Sequence, residues 1–143
     1  MKLIKIAYVE DEARNHFTFE QYTILLKAHG VENSLSIYTT GEEALTAIPK
    51  DTPDIIFMDV RLPGITGLEV TRQLRQQDKL KDLPIIALTA YAMPADRQAA
   101  LDAGCNDFLA KPVRYQAVED VIRRYVAITT ENGKSTDMPP KIS

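Results

Sequence analysis

The sequence predicts an α/β fold built on an essentially parallel sheet of five strands. Three observations carry that reading. Five short apolar runs alternate with longer stretches of helical periodicity along one chain of 143 residues. The runs are continuous in Ile, Leu, Val and Phe rather than alternating with polar residues, as expected for strands covered on both faces. Successive strand–helix units return to one sheet only through right-handed crossovers, which keep the strands parallel.

The first strand is read over residues 3–9, and an amphipathic helix follows over 13–29 with Tyr22, Leu25 and Leu26 along its inner stripe. Gly30 stands where that helix should stop, in a position that tolerates a left-handed residue. A second strand is read over 34–38, and Thr40 with Glu43 forms a capping-box pattern opening the second helix. The third strand spans 54–58, and Thr66 with Glu69 repeats the capping pattern before the third helix. Beyond it, Arg72, Arg75, Asp78 and Lys79 read as a solvated helix end. The fourth strand covers 84–88. Ala95, Ala99, Ala100 and Ala103 then make a small-residue helix with weak anchorage, closed at Gly104. A brief strand over 107–109 leads to the last helix, where Val118, Val121, Ile122 and Tyr125 keep the spacing of a buried face. The pattern ends near Ile128. Residues 1–128 therefore read as one domain, and 129–143, polar and carrying Pro139-Pro140, as a flexible tail.

Composition narrows the function. Apolar residues make up 45% and charged residues 26%, the balance of a globular protein rather than a disordered or collagen-like one. Seventeen basic against twenty acidic residues leave a net charge of -3, which offers no footprint for nucleic acid. No apolar run approaches the roughly 20 residues that span a bilayer, and the N-terminus lacks the cleavage region of a signal peptide. The lone Cys105 forms no internal disulfide and reads as a small core or boundary residue. A cytoplasmic location with no membrane contact is expected.

In open α/β sheets, ligands bind at the carboxyl ends of the strands. Glu10-Asp11 closes the first strand, Asp59 the third and Thr89 the fourth, while Lys111-Pro112 follows the fifth. Three acids, a hydroxyl and an ammonium thus converge on one edge. A carboxylate directly after Ile55-Ile56-Phe57-Met58 is costly unless paired or bound to a cation. Such a set of hard oxygens suits magnesium. A carboxylate in that setting can attack phosphorus and form an acyl phosphate, with Lys111 and Thr89 facing the phosphoryl oxygens. Neither a P-loop nor a Gly-x-Gly-x-x-Gly turn is present, so the phosphoryl group has to come from a partner or a small donor.

These motifs resemble the receiver domains of two-component response regulators, of the single-domain kind. The likeness runs from residue 3 to about 127 and rests on Tyr8-Val9-Glu10-Asp11-Glu12, Met58-Asp59-Val60-Arg61-Leu62-Pro63 completed by Gly67, Leu88-Thr89-Ala90, and Ala110-Lys111-Pro112. It implies a flavodoxin-like (βα)5 three-layer sandwich with strand order 2-1-3-4-5. It implies that Asp59 is the phosphoacceptor, and that Asp11, Asp59 and the Arg61 backbone carbonyl ligate Mg2+, with Glu10 assisting through water. Thr89 and Lys111 would contact the phosphoryl group, and Thr89 with Phe108 would form the switch. The implied partners are a sensor histidine kinase or histidine phosphotransfer protein. A downstream protein would be met on the face of the fourth helix, fifth strand and fifth helix, as a monomer or a phosphorylation-dependent dimer. Such a protein catalyses its own phosphorylation and dephosphorylation without being a conventional enzyme.

Four positions depart from the usual pattern. Glu10 stands where many members carry aspartate, Phe108 where many carry tyrosine, and Arg61 and Tyr91 are bulky residues at the rim, expected to slow hydrolysis. His16 and His29 read as solvated or satisfied residues and Arg123-Arg124 as surface charge. Two rival readings remain: a receiver cut from a larger hybrid kinase or DNA-binding regulator, and an aspartate-nucleophile phosphohydrolase. The phosphohydrolase would need an acid where Arg61 stands.

Overall fold

The computed structural model describes residues 3–91 and 93–126, so the expected tail at 129–143 and the domain boundary at 128 lie outside the described residues. Five strands alternate with five helices: β1 (Ile4–Val9), α1 (Ala13–Ala28), β2 (Asn33–Tyr38), α2 (Gly41–Asp51), β3 (Ile55–Asp59), α3 (Gly67–Arg75), β4 (Ile85–Thr89), α4 (Pro94–Ala103), β5 (Asp107–Ala110) and α5 (Tyr115–Tyr125). All pairings are parallel, in the order β2-β1-β3-β4-β5.

The central strands β1, β3 and β4 are buried along almost their whole length, and their period-2 side chains divide the core in two. Ala7, Val9, Ile56, Met58, Ile85 and Ala87 pack against α2, α3 and α4 through Ala44, Ile48, Val70, Leu74 and Ala100. Ile4, Ile6, Tyr8, Ile55, Phe57 and Leu88 pack against α1 and α5 through Phe19, Leu26, Val118 and Ile122. The edge strands β2 and β5 are only half-covered, because each lacks a neighbour on one side. Helix boundaries follow the local chemistry. Thr40 and Thr66 accept the N–H groups of Glu43 and Glu69, while Gly30 and Gly104 take φ of 89° and 112° after α1 and α4.

Tertiary packing corrects four local readings. The inner stripe of α1 runs through Phe19, Thr23 and Leu26; Leu25 points outward at 43% exposure, because α1 meets the sheet along a line rotated from the expected stripe. The capping boxes form only their threonine half. Glu43 accepts from the Thr39 N–H instead, and Glu69 turns to Arg72 and Gln73. Arg75 is a structural tie rather than a solvated residue. Its guanidinium donates to the carbonyls of Gly104 and Leu80 and to Asn106 Oδ1, which also accepts from the Ile85 N–H. Arg123 and Arg124 are likewise engaged, with Glu119 at 2.8 Å and Asp107 at 3.1 Å. Glu119 also accepts from Tyr115 and His29, joining α5 to the end of α1. Burial raises its pKa, but these three donors outweigh it and hold the carboxyl at about 2.

The loop after β3 is held tight against the sheet. The Gly67 N–H donates to the Val60 carbonyl at 3.0 Å, and a Cβ at Gly67 would collide with the Asp59 carbonyl oxygen. Only glycine lets α3 begin so close to the end of β3. Gly67→Ala is therefore expected to destabilise the protein by about 1–3 kcal/mol, the cost of overpacking a tight contact. Urea denaturation measures this, and unchanged stability would show that the loop shifts freely.

Candidate functional site

The register of the sheet brings the carboxyl ends of β1, β3, β4 and β5 to one edge. Asp59 is paired with Leu88, Thr89 with Ala110, and the Lys111 N–H donates to the Thr89 carbonyl at 2.8 Å. Glu10 follows β1 directly and is fixed through its own N–H, which donates to the Tyr38 carbonyl. All the strand-end residues singled out in the sequence, Glu10, Asp11, Asp59, Thr89 and Lys111, are thus gathered at this edge.

Lys111 organises the charges. Its Nζ donates to Asp59 Oδ2 at 2.8 Å and to Glu10 Oε1 at 3.3 Å. Asp59 is 2% exposed and Glu10 only 1%, whereas Asp11 lies open to solvent. The second Asp59 oxygen accepts the Arg61 N–H at 3.0 Å, and the second Glu10 oxygen accepts the Glu12 N–H at 3.1 Å. Both buried carboxylates therefore have partners for each oxygen, as burial requires.

Burial acts most strongly on Asp59 and pushes its pKa up to about 6; the Lys111 hydrogen bond opposes the shift and the Glu10 charge adds to it. Burial also pushes Glu10 upward, but the Glu12 N–H and Lys111 outweigh it and hold its carboxyl below the usual range. For Lys111, burial is outweighed by Asp59 and Glu10, which raise its pKa and keep it charged. The site is two buried acids around one ammonium.

Carboxylate oxygens of Glu10, Asp11 and Asp59 all lie within 4.8 Å of one another. Hard oxygen donors, two of them buried and one open to water, fit a small divalent cation with free coordination positions. Arg61 meets Asp59 through its N–H. Thr89 is buried, and its hydroxyl faces the Tyr91 main chain, donating to the carbonyl at 3.1 Å and accepting from the N–H at 3.0 Å. Phe108 is half-buried beneath the guanidinium of Arg97, whose central carbon sits 4.6 Å from the ring centre.

Two further residues enter the site, to neither of which the sequence reading gave a role there. The Tyr8 hydroxyl donates to Glu10 Oε1 at 3.3 Å, and His16 Nε2 lies 2.6 Å from the Glu10 carbonyl oxygen. A tyrosine two residues before Glu10, on the same face of an otherwise aliphatic strand, was the available signal for the first. His16 needed the crossing of α1 over β1.

A profile of the response regulator receiver domain matches residues 6–123. The chain belongs to the response-regulator receiver family. The polar-differentiation response regulator DivK of Brucella anthropi is 34% identical over 121 residues, covering 85% of this chain and 94% of that protein. Among solved structures, the receiver domain of the sensor histidine kinase PA1611 of Pseudomonas aeruginosa, with magnesium coordinated in its active-site cleft, is 34% identical. It superposes with a TM-score of 0.75 over 87% of this chain and 98% of its own. A chain from the co-crystal of the Saccharomyces cerevisiae phosphotransfer protein Ypd1 with the Ssk1 receiver domain is 30% identical. Its TM-score is 0.74, covering 86% of this chain and 88% of that one. The receiver is thus DivK-like in sequence and carries the five-stranded flavodoxin-like fold with order 2-1-3-4-5. The family is one of signalling proteins rather than of conventional enzymes, and the phosphohydrolase reading gives way to it. No helix among the described residues is long and apolar enough to cross a membrane.

The buried charges make stability depend on pH in a direction that can be stated. A carboxyl whose folded pKa is raised from about 4 to about 6 contributes fully below the lower value. That contribution is lost as pH rises through the higher one. Asp59→Asn is therefore expected to stabilise the metal-free receiver by about 1–3 kcal/mol at pH 7.5, and by less at pH 5. Urea titrations in chelator at both pH values measure the gap; a gap that fails to widen with pH would show that Asp59 is comfortably ionised where it sits.

Proposed function

We propose that this receiver is a phosphorylation-dependent switch in which Asp59 accepts a phosphoryl group from a histidine on a sensor kinase or phosphotransfer protein. The observation that carries the reading is the placement of Asp59: buried at the end of β3, one oxygen on Lys111 Nζ and the other on the Arg61 N–H, beside Glu10 and Asp11. An Asp59 oxygen attacks phosphorus, the P–N bond to the donor histidine breaks, and the imidazole leaves with a proton. The product is an acyl phosphate on Asp59. Lys111, already 2.8 Å from Asp59, supplies positive charge to the phosphoryl oxygens, and Thr89 supplies a hydroxyl donor.

Mg2+ would be held by Asp11 and Asp59 directly, by the Arg61 carbonyl, and by Glu10 through water. Bound there, it would neutralise charge on the transferring phosphoryl group. The magnesium coordinated in the PA1611 receiver supports this assignment, and the Ypd1–Ssk1 co-crystal supports a phosphotransfer partner. Because Glu10 is already engaged by Glu12, Tyr8 and Lys111, Asp11 is the freer ligand.

The output follows from Thr89. When it moves toward the phosphoryl group, space opens near Ala90, and Phe108 turns inward from beneath Arg97. The change reaches the face of α4, β5 and α5, where a downstream protein or a second phosphorylated copy docks. The domain spans residues 1–128 and works in the cytoplasm. The likeness to a sensor kinase's receiver supports a second reading, in which the chain is one module of a longer hybrid kinase. The size of the native protein, detected by antibody in cell extract, separates the two.

Two measurements test the site. Intact mass after incubation with acetyl phosphate and magnesium should show a single phosphoryl adduct that is absent in Asp59→Asn and does not form in chelator. An adduct that survives Asp59→Asn moves the phosphoacceptor elsewhere. In magnesium titrations, Asp11→Ala should weaken affinity more than Glu10→Ala; the reverse order exchanges their roles.

A further inference from the structure

The loops after β3 and β4 meet at the mouth of the site through a side-chain pair, Arg61 and Tyr91. The guanidinium carbon of Arg61 sits 4.5 Å from the centre of the Tyr91 ring, which remains 51% exposed. Each partner is anchored to a site residue by its main chain. The Arg61 N–H donates to Asp59 Oδ1, and the Tyr91 N–H and carbonyl are both bonded to the Thr89 hydroxyl. Since a hydroxyl carries one hydrogen, Thr89 cannot donate to a phosphoryl group on Asp59 while it donates to Tyr91.

We propose that Arg61 and Tyr91 form a latch that holds Thr89 in its resting position, and that Thr89 reaches a phosphoryl group on Asp59 only when the latch opens. The proposal rests on the assignment of Asp59 as phosphoacceptor and adds two positioning residues to it. Release of the Thr89–Tyr91 bonds frees the loop that carries the aromatic ring. A cavity of about 100 Å3, lined by Arg61, Leu68, Thr89, Tyr91, Ala99 and Ala100, adjoins the pair and gives that ring room to move. The pair thereby lowers the share of molecules competent to bind a phosphoryl group, and apparent affinity falls by that share.

This differs from screening by bulk. Two side chains that merely block water would change the lifetime of the acyl phosphate, each by its own factor, and leave affinity for a phosphoryl mimic untouched. A latch behaves as one unit, so removing either half releases it.

The test is a beryllofluoride titration of the whole chain in magnesium buffer, for wild type, Arg61→Ala, Tyr91→Ala, the double variant and Tyr91→Phe. The latch predicts that each alanine variant binds about 2–5-fold tighter, the range expected from losing one exposed cation–π contact. The double variant should gain no more than either single one, and Tyr91→Phe, which keeps the ring, should match wild type. The ring-current shift on the Arg61 Cδ protons should be present in the resting protein and lost on adding beryllofluoride. Unchanged affinities, factors that multiply in the double variant, or a ring-current shift that persists in the bound state would each overturn the latch while leaving Asp59 as phosphoacceptor. Failure of wild type to bind beryllofluoride at all, together with absence of an acetyl phosphate adduct, would overturn the phosphoacceptor assignment and the latch with it.

Discussion

One ammonium holds the site together. Lys111 Nζ lies between Asp59 and Glu10, two carboxylates buried at the ends of neighbouring strands, and its charge offsets part of the cost of burying them. The Lys111 main chain is in turn pinned to Thr89, so the cation is delivered from β5 across β4 to reach β3 and β1. Loss of register between these strands would leave buried charge unpaired. The sheet order β2-β1-β3-β4-β5 is therefore an electrostatic requirement as well as a packing solution.

The rest of the molecule supports that arrangement without touching the chemistry. Continuous apolar strands bury Ile56, Phe57 and Met58 so completely that Asp59 emerges at a fixed point. Gly67 lets α3 close against the end of β3, and Arg75 ties α3 to the segments flanking β4 and β5. On the opposite face, Glu119 gathers His29, Tyr115 and Arg123 and joins α5 to α1. Between these ties run the loops after β3 and β4, which carry Arg61 and Tyr91. Thr89, Tyr91 and Arg61 make bonds there that are satisfied at rest and that a phosphoryl group would compete for.

Relatedness and geometry answer different questions here. The match to receiver domains establishes the family, and the DivK and PA1611 likenesses place the chain among signalling proteins. Neither says how this chain treats its own departures from the common pattern. Glu10, longer than aspartate by one methylene, reaches Lys111 and takes a hydrogen bond from Tyr8, so part of the lysine's charge is already shared before any phosphoryl group arrives. Arg61 and Tyr91 pair with each other at the rim.

The sequence by itself determined the strand–helix alternation, the parallel sheet, and the convergence of Glu10, Asp11, Asp59, Thr89 and Lys111, because these follow from periodicity and from the rule that strand ends share one edge. It left Cys105 as a core or boundary residue, and packing puts it in the core, where burial raises its thiol pKa. What only the tertiary structure decided were contacts between residues whose spacing carries no period. The rotation of α1 that exposes Leu25, the carbonyls that capture Arg75, the hydrogen bonds of His16 and His29, and the stacking of Arg61 on Tyr91 all depend on how elements cross. Long polar side chains reach several angstroms in many directions, and local sequence does not say which acceptor comes within range until the helices and loops are packed.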